Sequence, residues 1–237
     1  MHQLLSVKTG RGMLSRSVLS AWPQTLWMKS LGSNLMNSGS RRSTKTLSSD
    51  WISELSATMR IFPDFITPQE EESLFQEIEP YLKRLRYESS HWDNAIQSYR
   101  ETEKSTWNKG NSAVIQKIQK TAFPPDTSLL GHVHVLDLAG DGMIKPHVDS
   151  VRFCGDTIAG LSLLSDSVMR LTMVGYEKEC FKDYLLLQRS LYVMSGAARY
   201  KYNHEILGPD GSTFEGNKIP RSRRISVICR CDPKHID

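Results

Sequence analysis

His147-Val148-Asp149 is the tripeptide with the clearest chemical potential, because an imidazole and a carboxylate two residues apart on a strand point to the same side. Such a pair is common by chance and is as compatible with an ordinary hydrogen-bonded pair as with two metal ligands. A third candidate, His204, lies 55 residues beyond Asp149 in the segment Arg199 to Ile206. Two histidines and one carboxylate on one side of an ion leave three positions open. That suits iron(II), which must take an oxoacid through two atoms and then molecular oxygen (O2). Zinc is the competing metal, but no Cys cluster and no His-Glu-Xaa-Xaa-His run supports it. An oxoacid also needs a cation at the far end of its pocket. Arg224-Ile225-Ser226-Val227-Ile228-Cys229-Arg230 supplies two guanidinium groups. Period-two alternation puts Arg224, Ser226, Ile228 and Arg230 on one face, with Ile225, Val227 and Cys229 turned to a core. A guanidinium fork matches a carboxylate with two parallel hydrogen bonds, which Lys does not reproduce. A basic strand edge that discourages aggregation is the plainer alternative.

These residues need strands to carry them. From Leu129 onward the chain is a succession of short β-like runs, at residues 132–138, 157–164, 168–174, 184–187, 191–194 and 225–230, punctuated by Gly, Ser, Asp and Pro. Ahead of them, Thr67-Pro68-Gln69-Glu70 reads as a helix start with a capping box. Leu74, Ile78, Leu82 and Leu85 give that helix one apolar face for packing on a sheet, and Pro80 is expected to kink it. Residues 87–110 read as a long surface connection; Val114, Ile115 and Ile118 mark a second short helix that ends at Pro124-Pro125-Asp126. The fold class this predicts is α+β and mainly β, a sandwich or jelly roll with a helical flank near its N-terminus.

With 39% hydrophobic and 24% charged residues, 237 residues suffice for one sizeable core, and no apolar run is long enough to span a bilayer. Four cysteines are too sparse for a disulfide scaffold, although Cys229 and Cys231 fall on the same strand face. The net charge of +4 is uneven: residues 1–49 hold seven basic residues and no acid, so residues 50–237 carry about −3 (four minus seven). The folded part therefore offers no general phosphate-binding surface, and duplex DNA is not an expected partner. The acid-free, Ser- and Arg-bearing start has the composition of a mitochondrial transit peptide. Residues 1–57 are taken as leader, removed somewhere before Met59, and 58–237 as one domain in the mitochondrial matrix; a plain basic tail is the alternative.

His147-Xaa-Asp149, His204 preceded at five residues by Arg199, and Arg224-Xaa5-Arg230 together resemble AlkB-type dioxygenases. The likeness runs over residues of about 60 to 232. It includes Ile144-Lys145-Pro146-His147-Val148-Asp149-Ser150, Ala159-Gly160-Leu161-Ser162-Leu163-Leu164-Ser165 and Arg223 to Arg230, and it is similar above all to a mitochondrial member. The resemblance implies a double-stranded β-helix, with iron(II) held by His147, Asp149 and His204. It implies Arg224 on the distal carboxylate of 2-oxoglutarate, Arg230 in the same pocket nearer the substrate, and Tyr192 donating its hydroxyl to the co-substrate. Tyr192 reads equally as a half-buried strand tyrosine. Two departures stand out: Ser226 replaces the Asn usual between the arginines of the nucleic-acid demethylases, and Val135-Leu136-Asp137 replaces an Asn-Xaa-Tyr.

The implied activity is oxidative demethylation of N-methylated bases in mitochondrial RNA, with a role in the response to alkylation damage. Unpaired bases need no opened duplex, and Trp92, Tyr99 and Trp107 are candidate stacking aromatics. Residues 87–130 are poor in Lys/Arg clusters and show no basic lid over a flipped base. Hydroxylation of a protein side chain is the alternative, and a catalytically weak jelly-roll interaction protein is a further one.

Overall fold

The computed structural model describes residues 50–91 and 94–233. The expected leader lies outside these residues up to position 49. From Asp50 the chain is described: Asp50–Thr58 forms helix α1, whose Leu55 is fully buried beside Met59. Strand β1 (Met59–Phe62) follows directly, then α2 (Pro68–Leu82). At its start Thr67 Oγ1 accepts from the Glu70 N–H at 3.1 Å, and the Glu70 carboxylate accepts from the Thr67 N–H at 2.7 Å. Leu74, Ile78 and Leu82 form the buried stripe. The helix stops at Leu82, two residues past Pro80, and Leu85, expected on the same face, is exposed.

Residues 87–110 are not a simple connection. They contain β2 (Ile96–Lys104), an edge strand paired with β3 (Val133–His147), and only after it comes α3 (Lys109–Ala122). The remaining elements are β4 (Thr157–Leu163), β5 (Ser167–Met173), β6 (Phe181–Leu186), β7 (Leu191–Ser195), α4 (Gly196–Tyr200) and β8 (Tyr202–Ile206). A two-residue hairpin, β9 (Thr213–Phe214) and β10 (Asn217–Lys218), precedes β11 (Arg224–Arg230). The antiparallel order is β1-β7-β4-β11-β3-β8-β5-β6, with β2 beside β3.

β3 makes this a jelly roll by serving two sheets. Residues 134–138 pair with β11, whereas Ile144 and His147 pair with Ile206 and His204 of β8. The crossover needs glycine. A Cβ on Gly142 would sit 2.7 Å from the Ser98 carbonyl oxygen at the β2 bulge, closer than atoms can approach.

Alternation on the larger sheet builds two cores. Val135, Ala159, Leu161, Leu163, Leu191, Val193, Ile225, Val227 and Cys229 face α2 and α3, while Leu136, Leu138, Ile158, Tyr192, Met194 and Ile228 face the second sheet. Both faces are thus covered, and the β11 alternation matches the reading from sequence. Asp137 points into the helix-facing layer. It is fully buried, 2.7 Å from Arg100 Nε and 2.8 Å from Arg223 Nη2, and accepts from Tyr87 Oη at 3.1 Å. Arg223 also holds Glu79 of α2, so one ion network ties β2, β3, β11 and α2 together. The four cysteines are free and buried. Among the described residues no helix is long and apolar enough to cross a membrane.

Candidate active site

His147 closes β3 and His204 lies within β8, and the two are register partners on adjacent strands. Their ring centroids are 4.2 Å apart. Asp149 reaches them differently from the expectation of strand alternation, since β3 ends at His147 and Asp149 lies in the loop beyond. Arg199 of α4 sets that loop. Its guanidinium, 1% exposed, donates to the carbonyls of Asp149 at 2.7 Å, Gly155 at 3.2 Å and Cys154 at 3.3 Å. Sequence reasoning noted Arg199 only as a landmark; its work is to place a carboxylate that no strand holds.

The three ligand-type atoms lie within 4.8 Å of one another. Asp149 Oδ1 is the meeting point, 3.2 Å from His147 Nε2 and 3.8 Å from His204 Nε2. The other oxygen, Oδ2, is taken by Arg230, whose Nε and Nη2 each stand 3.3 Å away. The carboxylate thereby presents one oxygen to the imidazoles. His147 Nδ1 donates to the Lys145 carbonyl at 2.9 Å, which fixes the ring so that Nε2 faces Asp149 Oδ1.

Electrostatics favour the metal-binding forms of Asp149 and His204. Burial works to raise the Asp149 pKa, but Arg230 and the His147 hydrogen bond outweigh it and hold the carboxyl well below its usual range. Burial, reinforced by His147, pushes His204 down to about 3, so it is neutral with a free lone pair at physiological pH. Two imidazoles and a carboxylate on one side are the donor set of a facial triad, so the residues fit iron(II).

Arg224 sits deeper between the sheets and is 1% exposed. Nη2 donates to Ser162 Oγ at 2.8 Å, Nε has no partner, and among the described residues no carboxylate pairs with it. Burial pushes its pKa down to about 10, which leaves it charged. A buried, unneutralised guanidinium with an orphaned N–H fits the distal carboxylate of an oxoacid. Ser162 was missed from sequence; a serine among apolar β4 residues, paired in register with Ser226, was the available signal. Ser226 itself is buried on the same inner face.

Tyr192 lies on that face too, and burial raises its pKa, offset by the nearby charges of Arg224 and Arg230. Its ring covers Gly160, the opposite residue on β4, where a Cβ would come within 2.3 Å of Cε1. The candidate stacking aromatics do not gather at the mouth. Tyr99 is 3% exposed and bonds Glu88, Trp107 packs on the helix-facing core, and Trp92 falls outside the described residues. The turn after Asp149 instead exposes Val151 and Phe153 with Arg152 between them. Two surface clefts, of about 370 and 620 Å³, include none of the triad, Arg224 or Arg230.

No protein-family model matches the chain. It is 53% identical over 174 residues to the mouse (Mus musculus) alpha-ketoglutarate-dependent dioxygenase alkB homolog 7, mitochondrial, covering 73% of this chain and 78% of the relative. The bovine (Bos taurus) protein of the same name is 51% identical over 183 residues, covering 77% and 82%. The chain belongs to the AlkB family of 2-oxoglutarate-dependent dioxygenases. The family assignment carries 2-oxoglutarate and oxygen as co-substrates, and both mammalian relatives are named as mitochondrial. An uncharacterized protein of Acanthamoeba polyphaga mimivirus, L905, is 29% identical over 184 residues, 72% of this chain and 82% of its own. Among solved structures, OsALKBH1 and a Pseudomonas putida prolyl-4-hydroxylase each match with a TM-score of 0.54 at 12% identity. They cover 73% and 77% of this chain and 97% of their own, which establishes the shared jelly-roll fold.

Proposed function

We propose that this AlkB-family chain is an iron(II) enzyme of the mitochondrial matrix that hydroxylates a protein side chain. What supports the chemistry is the convergence of His147, His204 and Asp149 Oδ1, with the Arg224 guanidinium buried on the inner face of β11 and held there by Ser162 alone among the described side chains. Iron(II) with 2-oxoglutarate and oxygen supplies the two-electron oxidation of a C–H bond, the co-substrate leaving as succinate and carbon dioxide. The chain's own residues do the rest. His147, Asp149 and His204 would hold the metal on one side, and Arg230 keeps Asp149 Oδ2 occupied so that the carboxylate offers a single oxygen. Arg224 and Ser162 would orient the co-substrate's far carboxylate, and Tyr192, seated on Gly160, would close the pocket over it.

The substrate class rests on the rim. Apolar Val151 and Phe153 are exposed in the turn after Asp149, residues 50–237 carry a slight negative charge, and the described aromatics expected for base stacking are turned into the cores. Those features suit an apolar polypeptide segment better than a phosphate backbone. Demethylation of N-methylated bases in mitochondrial RNA, in response to alkylation damage, is the second reading; exposed Arg152 beside Phe153 favours it by pairing a phosphate ligand with a stacking ring. Turnover under 18O2 with matrix protein and matrix RNA separates the two. A protein mass gain of one labelled oxygen supports the first reading, and formaldehyde released from RNA without that gain overturns it in favour of the second.

A further inference from the structure

Arg230 has a second partner outside the triad. Its Nη1 stands 3.0 Å from His134 Nδ1, on the part of β3 that pairs with β11. A guanidinium only donates, so Nδ1 accepts and the His134 proton is on Nε2. That nitrogen faces Glu101 Oε2 of β2 at 2.9 Å, and the carboxylate can only accept. The hydrogen bonds run outward from Arg230, which donates to Asp149 Oδ2 on one side and to His134 Nδ1 on the other, and His134 donates in turn to Glu101. Glu101 Oε1 lies 3.9 Å from His91 Nε2, and Glu103 is the register neighbour of His134 on β2.

We propose that His134, braced by Glu101, is a positioning residue that keeps Arg230 on one oxygen of Asp149 and leaves Oδ1 for the metal. The inference rests on the iron reading above. Its physical basis is the fork of the guanidinium. With Nη1 engaged by His134, Nε and Nη2 meet Oδ2 alone; without that acceptor the fork is free to turn and bind both carboxylate oxygens in the preferred bidentate manner. Oδ1 would then be taken from the imidazoles it now faces. His134 was not legible as a site residue, because it is 13 positions before His147 and joins the site only through the pairing of β3 with β11.

The test is cobalt(II) binding to the purified full chain, followed by visible absorption, with urea unfolding of each variant as a check on the fold. Wild type is expected to bind one cobalt(II), and His147→Ala none. His134→Ala should weaken binding by ~10- to 100-fold, the usual cost of losing a residue that orients a metal ligand. His134→Asn, whose side-chain oxygen replaces Nδ1 as acceptor, should recover most of that loss. Glu101→Gln, which still accepts from Nε2, should bind as wild type does, whereas Glu101→Ala should not; this pair decides the matter if His134→Ala does not fold. Wild-type affinity in both alanine variants, with His147→Ala dead, overturns the positioning role and leaves the iron reading intact. Failure of wild type to bind cobalt(II) overturns both.

Discussion

Replacing Arg224 with Met should move stability and co-substrate binding in opposite directions. In the free protein this guanidinium is 1% exposed, has one neutral hydrogen-bond partner in Ser162, and leaves Nε orphaned. Its removal forfeits a hydrogen bond of ~1.5–3 kcal/mol. It also relieves the burial of an unneutralised charge, a penalty of several kcal/mol. Met retains much of the packing, so Arg224→Met without ligand should be at least as stable as wild type. Co-substrate binding should collapse: two charge-assisted hydrogen bonds at ~1.5–3 kcal/mol each give ~3–6 kcal/mol, or about two to four powers of ten in affinity. Thermal unfolding with manganese(II), with and without 2-oxoglutarate, reads both. Ligand at a hundred times Kd stabilises by about 2.7 kcal/mol. For a fold of this size, at ~2–4 °C per kcal/mol, wild type should gain about 5–11 °C and Arg224→Met nothing. Two results would refute the reasoning: a wild-type ligand shift in the variant, or a loss of ligand-free stability near the ~3–5 kcal/mol of a broken buried ion pair.

Asp137→Ala removes the shared partner of Arg100 and Arg223, and should cost ~3–5 kcal/mol in urea unfolding. A loss under ~1 kcal/mol would mean the network adds nothing beyond packing. Gly160→Ala should cost ~1–3 kcal/mol by forcing Tyr192 off the sheet, and that cost should largely vanish in a Tyr192→Ala background. Glu79 gives a pH signature: hydrogen bonding to Arg223 holds its folded pKa below the reference value of 4.5, so the contribution is complete above about 4.5 and is lost as pH falls through the folded value. Wild-type stability should therefore fall more steeply than that of Glu79→Gln below that point, and parallel curves would contradict the assignment.

What the sequence disclosed were features carried by local chemistry. The capping box at Thr67 and Glu70, and the alternation of Arg224, Ser226, Ile228 and Arg230, depend on spacings of two or three residues, and the structure has both. The three triad residues could be named because their types are rare in that combination, although the means that unites them was hidden. Asp149 is held by Arg199, 50 positions later, and His147 meets His204 through a register that only the closed sheet defines. β2 was invisible because Ile-Gln-Ser-Tyr-Arg-Glu-Thr-Glu-Lys is a polar edge strand whose partner, β3, begins 29 residues after it ends. Asp137 stands where the nucleic-acid demethylases carry the last residue of Asn-Xaa-Tyr, and it faces the helices, where Arg223 and Arg100 neutralise it; Arg224, next in the chain to Arg223, faces inward with Ser162 as its hydrogen-bond partner and no carboxylate among the described residues.

The claim on which the account turns is that His147, Asp149 and His204 hold a ferrous ion in front of Arg224. Succinate release from 2-oxoglutarate, measured with iron(II) in air for wild type and for the three single alanine variants, tests it most directly. The account predicts release by wild type that stops without iron(II) and is lost in each variant. Undiminished release in any one of the variants would contradict it.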